Sequence, residues 1–191
     1  MNTSISRQDE TAELLAKLKS IAGNLWWTWN QECQEIFQEL SPRGWQDLYH
    51  NAVAVLQDIS EYELHMRLQD PFFARRVLDL LSTFDEYMSR KDTWASHNAP
   101  ALIENPVAYF TAEYGFHETL PISAGGLGIL SGDHARSASD LGLGLVGISL
   151  LYREGYFQQA IDNQNWQTER YVPLHPESLP LEPVLNEKGE R

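Results

Sequence analysis

A glycine cluster stands between an apolar run and an amphipathic segment in the second half of this 191-residue chain, and it restricts the fold more than any other feature. The apolar run Val107–Thr111 predicts a buried strand, Leu127–Leu141 a helix, and Leu145–Leu151 a second buried strand. A strand, a glycine loop, a helix and a strand form one βαβ unit, whose chirality rules favour a parallel pair. The sequence therefore predicts an α/β fold here, with Gly155–Ala160 as a further, more exposed strand.

The same glycine loop is a candidate anion-binding site. Gly125, Gly126 and Gly128 lack Cβ atoms, so their N–H groups can approach a ligand closely, and the helix that follows adds its positive N-terminal end. Titratable residues flank the loop, including Glu113 before it and His134 after it. Ligands of open parallel sheets bind at the carboxyl ends of the strands, where these residues fall. The spacing alone leaves open that the glycines serve only the turn.

Residues 8–95 predict helices instead, because apolar residues recur at threes and fours and glycines are few. The clearest helix is Pro71–Met88, which Asp70 can cap at its start. One apolar face of this helix is predicted to be buried: Phe73, Val77, Leu80, Leu81, Phe84 and Met88. Shorter helices are predicted over Glu10–Ala22, Gln31–Leu40, Gly44–Leu56 and Glu61–Leu68.

The segment His97–Pro106 connects the two regions, since its prolines and asparagines interrupt helices. We therefore divide the chain into a helical region, 1–97, and an α/β region, 106–191. A parallel sheet of two or three strands cannot cover both of its own faces. Either the helical region packs on this sheet or the sequence is the front of a longer protein, and the second interpretation is favoured.

A second glycine pattern argues against nucleotide binding. Gly142, Gly144 and Gly147 satisfy the literal motif GxGxxG. A dinucleotide site requires that motif to follow a strand and open a helix, whereas these glycines follow a helix and lead into a strand. Gly142 is predicted to end the helix, Gly144 to form a turn and Gly147 to allow close packing. No Lys-Ser or Lys-Thr pair follows the earlier GGLG, which excludes a triphosphate-binding loop.

Composition excludes further classes of function. Fourteen basic and 27 acidic residues give a net charge of −13 and leave no basic patch for a nucleic acid. The single cysteine, Cys33, excludes an internal disulfide framework and fits a reducing compartment. We find no signal peptide, no run of about 18 apolar residues, and no histidines at a metal-binding spacing. We therefore expect a cytoplasmic protein with no metal, membrane or nucleic-acid partner.

Two stretches of the chain resemble a known family. Tyr109–Gln159, YFTAEYGFHETLPISAGGLGILSGDHARSASDLGLGLVGISLLYREGYFQQ, is similar to the start of the first nucleotide-fold domain of the bacterial and archaeal α-glucan (glycogen, maltodextrin) phosphorylases. Asn24–Leu40, NLWWTWNQECQEIFQEL, resembles the helical extension that these enzymes carry before that domain. The resemblance implies a retaining glycosyltransferase with two Rossmann-like domains of the GT-B type. This chain would hold the helical extension and the first βαβ portion, incomplete by itself.

The resemblance also implies an activity and its ligands. Enzymes of this family act on α-1,4-glucan and inorganic phosphate, release glucose 1-phosphate, and use pyridoxal phosphate as a cofactor. By this analogy, six residues bind the substrate or its phosphate: Gly125, Gly126, Leu127, Gly128, Glu113 and His134. Gly125 and Gly126 would also bind the cofactor phosphate. Backbone N–H donors at a helix start suit a reaction that holds oxyanions close together.

The sequence departs from the family pattern in two ways. The cofactor lysine of the family lies in its second domain, and no lysine here matches it: Lys17, Lys19, Lys91 and Lys188. We therefore expect that this chain contains no catalytic residue, is inactive alone and requires the missing C-terminal domain as its partner. Ser123 and Ala124 also stand where the family usually has a tyrosine and a serine. The sequence leaves homo-oligomerisation open.

Other functions remain as alternatives. A sugar-nucleotide glucan synthase has a related loop, which usually carries a lysine two residues before the glycine pair, where this chain has Ser123. Trp26, Trp27 and Trp29 raise a non-catalytic carbohydrate-binding module, although adjacent tryptophans at a helix start more often fill a core. A third alternative is a catalytically silent assembly protein that docks on another subunit.

Overall fold

The structure is a computed structural model that describes residues 7–171 and 174–190. Contacts between residues divide the chain into two compact units. We call Met1–Phe84 with His175–Arg191 the helical unit, and Asp85–Leu174 the α/β unit. The division into domains at 1–97 and 106–191 stays a prediction, and residues 1–6, 172–173 and 191 of those ranges lie outside the described residues.

Helices make up the described part of the helical unit. They are α1 (Arg7–Ala22), α2 (Gln31–Leu40), α3 (Pro42–Asp47), α4 (Ala52–Asp58), α5 (Glu61–Arg67) and α6 (Pro71–Ser89), which begins in this unit. Two short 3-10 helices, Leu25–Trp29 and Pro176–Ser178, accompany them. The helices predicted over Gln31–Leu40 and Pro71–Met88 are confirmed, the first to the residue.

The single helix predicted over Gly44–Leu56 is wrong, because the chain forms α3 and α4 with a break between them. Tyr49 and His50 adopt left-handed φ values of 55° and 56° in that break. Asn51 then caps α4, since its side chain accepts a hydrogen bond from the N–H of Ala54 at 3.1 Å. Apolar residues keep a spacing of three and four positions across the break, from Trp45 to Val55, so the hydrophobic periodicity did not reveal the break.

The core of the helical unit is built on aromatic residues. Trp27 is fully buried, its indole N–H donates to the carbonyl of Ala22 at 3.1 Å, and its ring lies 6.1 Å from Phe37. The predicted face of α6 packs into the core as far as Phe84, whereas Met88 is exposed. The interpretation of Trp26 and Trp27 as core residues is therefore confirmed.

The α/β unit contains the predicted βαβ connection. After the short helices α7 (Trp94–Asn98) and α8 (Ala101–Glu104) come β1 (Val107–Phe110), α9 (Gly126–Leu141) and β2 (Leu145–Ile148). Strands β1 and β2 pair in parallel, with Val107 opposite Leu145 and Phe110 opposite Ile148. The helix ends as predicted, because Gly142 takes the left-handed conformation with φ 73°.

The prediction that β1 and β2 are buried is wrong for the described residues. Phe110 is 70% exposed and Val146 is 52% exposed, although both belong to the parallel pair. A two-stranded sheet has no neighbouring strand beyond either edge and little to cover its faces, so apolar residues chosen for burial stay in contact with water.

A β-hairpin follows the parallel pair. The strand predicted over Gly155–Ala160 is shifted to β3 (Gln158–Ile161), and it pairs antiparallel with an unpredicted strand, β4 (Gln167–Arg170). The fold is therefore α/β in the sense of a helical region with small sheets.

Candidate functional site

The candidate site is the start of α9, where the glycine loop meets the helix. Gly125 occupies the N-cap position in an extended conformation and supplies no side chain to cap the helix. The first N–H groups of any α-helix lack an intrahelical acceptor. Among the described residues we find no acceptor for the N–H groups of Gly125, Gly126, Leu127 or Gly128. The loop therefore presents unpaired backbone donors together with the positive helix end.

The glycines of this loop occupy different surroundings. A Cβ atom added to Gly125 or Gly126 would meet no atom within 4 Å, and neither residue has a positive φ. At Gly128, by contrast, the added Cβ would lie 2.4 Å from Cβ of Ser123 and 2.9 Å from Oε2 of Glu113. Packing thus accounts for Gly128, whereas nothing within the described chain requires glycine at positions 125 and 126.

Glu113 holds the loop in place. It follows β1, and its Oε2 accepts a hydrogen bond from the N–H of Ala124 at 3.0 Å, directly before the glycine pair. The carboxylate also lines a cavity of about 220 Å³ beside the loop. Glu113 therefore fixes the entry to the helix and faces the adjacent cavity.

The cavity beside the loop has a mixed polar and apolar lining that contains no basic side chain. Its lining residues are Glu113, Pro121, Ile122, Ser123, Ala124, Tyr152, Glu154, Gly155 and Tyr156. Two phenol groups, a hydroxyl and two carboxylates can exchange hydrogen bonds with a neutral, hydroxyl-rich ligand. An anion would find no basic side chain there, so the positive end of the helix and the backbone amides of the loop would have to balance its charge.

Sequence reasoning did not place Tyr152 and Glu154 in the site. Both lie in the loop after β2, as Glu113 lies in the loop after β1, and Tyr152 donates to the carbonyl of Ala112 at 3.3 Å. The signal was present, because carboxyl ends of parallel strands meet at one edge of a sheet.

His134 is not brought beside the glycine amides. It lies eight residues after Gly126 on α9, about 12 Å along the helix axis. Its exposed ring lies 5.0 Å from the ring of Tyr109. Its role as a substrate ligand stays a prediction.

Arg136 connects the loop after β1 to α9. Its guanidinium pairs with Asp133 at 2.9 Å and donates to the carbonyl of Phe116. The N–H of Gly115 donates in turn to the carbonyl of Gly128 at 2.7 Å, which joins the same two segments. The guanidinium of Arg136 is thus turned toward the loop after β1.

Tyr114 has a structural role next to the site. Its buried phenol donates to the carbonyl of Tyr109 at 2.7 Å. Burial, with a contribution from Tyr109, raises the pKa of this phenol. Tyr114 therefore stays neutral and acts as a structural donor.

Other kinds of site are not found in the described residues. No three side chains of histidine, cysteine, aspartate or glutamate gather there as a metal ion requires. Within the same residues, no helix is long and apolar enough to cross a membrane. The cavity lining includes no lysine, and Lys17 pairs with Glu13 on α1.

Comparison with known proteins gives relatives with named activities. The chain is 40% identical over 178 residues to maltodextrin phosphorylase of Thermococcus litoralis and 36% identical over 183 residues to glycogen phosphorylase of Mycobacterium tuberculosis. It is 33% identical over 173 residues to glycogen phosphorylase of Aquifex aeolicus. The first two matches cover 93% of this chain and 21% of each relative, and the third covers 91% and 24%. No solved structure matches.

These relatives confirm the resemblance to glycogen and maltodextrin phosphorylases, and the coverage is consistent with an N-terminal fragment. The chain spans about a fifth of the length of the relatives named first. A family model described as "Protein of unknown function (DUF3417)" matches residues 11–120, which is more than half of the sequence. The chain therefore belongs to the DUF3417 family.

Proposed function

We propose that this chain is the N-terminal segment of an α-glucan phosphorylase and that its glycine loop binds a phosphate oxyanion. The single observation that carries the proposal is the set of unpaired N–H groups from Gly125 to Gly128 at an open helix start. Such a start is a ready-made anion site, because its donors and its dipole act in the same direction. The names of the relatives support the same family of enzymes.

The lack of Cβ atoms at Gly125 and Gly126 fits close approach by a phosphate group. The space beside both residues is open, so a tetrahedral oxyanion reaches their amides without a steric cost. In the complete enzyme that oxyanion is inorganic phosphate or the phosphate of pyridoxal phosphate. Fixed amide donors stabilise oxyanion charge that develops during transfer of a glucosyl group to phosphate.

The cofactor fits this chain only in part. Gly125 and Gly126 would hold its phosphate, whereas the cavity lining has no lysine to bind its ring covalently. When bound, pyridoxal phosphate supplies a phosphate group that exchanges a proton with the substrate phosphate. The covalent lysine therefore belongs to a further domain, and this chain is inactive alone.

The cavity beside the loop, which two carboxylates and no basic side chain line, suits a glucosyl unit of an α-1,4-glucan. Glu113 and Tyr152 offer acceptors and Tyr156 offers a donor to sugar hydroxyls, since the hydroxyl of Tyr152 already donates to Ala112, and no basic side chain lines the cavity. The anion and the sugar would thus lie side by side, the first on amides and the second on side chains. Phosphorolysis of α-1,4-glucan to glucose 1-phosphate needs this arrangement.

The exposed parallel pair supports a larger Rossmann-like domain of the GT-B type. Phe110 and Val146 are apolar yet exposed, and added strands and helices would cover them. The proposed domains are a helical extension at 1–97 and the start of a glycosyltransferase domain at 106–191. We also propose a cytoplasmic location, with α-glucan, phosphate and a C-terminal domain as partners.

An assay of glucose 1-phosphate tests this proposal. The 191-residue chain, incubated with maltoheptaose, phosphate and pyridoxal phosphate, is expected to form no glucose 1-phosphate. The gene is expected to remain open beyond codon 191 and to encode the cofactor lysine, and its complete product is expected to be active. A stop codon directly after Arg191 would instead support a catalytically silent protein. Glucose 1-phosphate formed by the 191-residue chain would contradict the proposal that this chain is inactive without a further domain.

A matched pair of variants connects the activity to the loop. In the complete product, Gly126→Val is expected to raise the KM for phosphate, because a branched side chain fills the space that the oxyanion occupies. Leu130→Val changes an exposed residue one turn further along α9 and serves as the control. An unchanged KM for phosphate in Gly126→Val would exclude the loop as the phosphate site.

A further inference from the structure

The β3–β4 hairpin holds one tryptophan in a fixed position at its tip. Oδ1 of Asp162 accepts hydrogen bonds from the N–H groups of Gln164 at 2.8 Å and Trp166 at 2.9 Å. The N–H of Asp162 donates to the carbonyl of Trp166 at 2.9 Å, and Asn165 takes a left-handed φ of 63°. Four cross-strand residue pairs continue from this turn into the hairpin. The backbone of Trp166 is thus fixed before any ligand arrives.

The side chain of Trp166 is nevertheless 71% exposed, and the neighbouring Ile161 is 76% exposed. Hairpin tips are usually polar, so two large apolar side chains at this tip call for a functional account. The base of the hairpin is anchored, because Phe157 contacts the rings of Tyr156 at 5.0 Å and Tyr171 at 6.3 Å. A rigid hairpin therefore presents an aromatic surface to solvent.

Carboxamides flank Ile161 and Trp166 along the hairpin. The exposed residues of the hairpin include six of them: Gln158, Gln159, Asn163, Gln164, Asn165 and Gln167. Between residues 155 and 168 the one side chain with a formal charge is Asp162, whose Oδ1 is engaged by the turn. Each carboxamide both donates and accepts hydrogen bonds, as does each hydroxyl of a sugar.

This chemistry selects a neutral, hydroxyl-rich ligand with an apolar face. At the tip, Ile161–Gln167, an anion would find no basic side chain and a cation would meet only the carboxylate of Asp162, because the charged Glu169 and Arg170 lie at the far end of β4. Protein interfaces favour arginine and methionine beside aromatic residues, and the same stretch contains neither. An oligosaccharide meets both requirements, because the faces of its rings are apolar and their edges carry neutral hydroxyl groups.

We infer that the tip of the β3–β4 hairpin, Ile161–Gln167, is an accessory α-glucan-binding surface with Trp166 as its stacking platform. The choice of α-glucan rests on the proposed function, because that function supplies the polymer. The surface lies apart from the glycine amides in the chain and contacts inner sugar units, not the reacting bond. Its preformed turn means that little ordering is lost when the sugar binds.

Amide NMR titration of the 191-residue chain with maltoheptaose, without phosphate, tests this inference. We expect shifts at Asn163–Gln167 and at the indole N–H of Trp166. Trp166→Ala is expected to raise the dissociation constant measured at the remaining hairpin amides about three- to tenfold, the range of an aromatic contact. Trp166→Phe keeps an aromatic face and is expected to retain most of the affinity.

Trp94→Ala is the matched control, since Trp94 is also exposed but lies on α7. It should leave the titration unchanged. Absence of hairpin shifts in the native chain would overturn the inference, as would equal affinity in the Trp166→Ala chain with an unchanged amide spectrum elsewhere. Concentration-dependent hairpin shifts without sugar would identify a protein-binding surface and overturn it too.

The titration also separates this inference from the proposed function. Gly126→Val alters the glycine loop and leaves the hairpin sequence intact, so hairpin shifts should persist in that variant. Hairpin shifts with cellohexaose but not with maltoheptaose would contradict the α-glucan assignment, and with it the inference as stated. Absence of phosphate-induced shifts at the loop amides of the native chain, with intact maltoheptaose shifts at the hairpin, would contradict the proposed function alone.

Discussion

Replacing Gly132 by alanine should destabilise the α/β unit, whereas the same change at Gly126 should not. A Cβ atom at Gly132 would lie 2.4 Å from the carbonyl oxygen and 2.8 Å from the carbonyl carbon of Gly115. The backbone of Gly115 cannot move away freely. Its carbonyl accepts a hydrogen bond from Arg136, and its N–H donates to the carbonyl of Gly128, so both bonds hold it against α9. Gly126 lies on the same helix but faces open space.

The magnitude follows from two opposing effects. Overpacking costs about 1–3 kcal/mol, while alanine in place of glycine within a helix gains up to about 1 kcal/mol. Since the clash at Gly132 is with backbone, we expect the unfavourable effect to dominate and Gly132→Ala to lower the local opening free energy by about 1–2 kcal/mol. Gly126→Ala has only the favourable effect and should be neutral or stabilising by less than about 1 kcal/mol.

Native-state hydrogen exchange of the α9 amides is the suitable assay. The chain has two units, so a single two-state unfolding curve would mix their stabilities. A loss of about 1.4 kcal/mol in opening free energy appears as a tenfold faster exchange at Leu130–Leu141. Equal protection of the Gly132→Ala and Gly126→Ala chains would refute the packing that places the loop against the helix.

Three further predictions concern the helical unit. Trp27→Ala should lower the opening free energy of the helical unit, measured by hydrogen exchange of the α2 amides, by about 3–5 kcal/mol, because a buried indole and its hydrogen bond to Ala22 are lost; a loss below about 1 kcal/mol would contradict the core position. Burial raises the pKa of the Cys33 thiol, so a thiolate-specific reagent at mildly alkaline pH should label it only as fast as the unit opens, and immediate labelling would argue against burial. The backbone N–H and hydroxyl of Ser60 hold the pKa of Glu63 below its usual value. The stabilisation that these bonds give α5 is therefore fully present above the ordinary glutamate pKa, and it is lost as the pH falls through the lowered pKa of Glu63. An NMR titration of the Glu63 carboxyl group checks this.

The sequence predicts elements best where one physical rule acts alone. Apolar residues spaced three and four positions apart predicted α6. Asp70 caps this helix as expected, because its carboxylate accepts a hydrogen bond from the N–H of Phe72 at 2.9 Å. The parallel pair of β1 and β2 followed from the connection through α9. Both predictions depend on local periodicity and on chain topology, which a single sequence contains.

Errors arose where a longer-range contact or a local cap decided the outcome. The break before α4 depends on left-handed residues at Tyr49 and His50, which are neither glycine nor asparagine. Burial of β1 and β2 was inferred from their apolar residues, but burial also requires neighbours to cover them.

The candidate site shows the same division. The glycine loop and Glu113 were located by composition and by position after a strand, and both lie together at the start of α9. Tyr152 entered the site only through the pairing of β1 with β2, whose first partners, Val107 and Leu145, lie 38 positions apart in the chain. His134 was placed near the loop by sequence proximity, yet the helix carries it away.

Phosphate titration of the isotope-labelled 191-residue chain tests the central claim most directly. The claim predicts saturable amide shifts centred on Gly125, Gly126, Leu127 and Gly128, which weaken in the Gly126→Val chain. Chloride at equal ionic strength should not reproduce them, because general screening does not select one helix start. Phosphate-induced shifts that are absent from these four amides, or equal to those with chloride, would contradict the account.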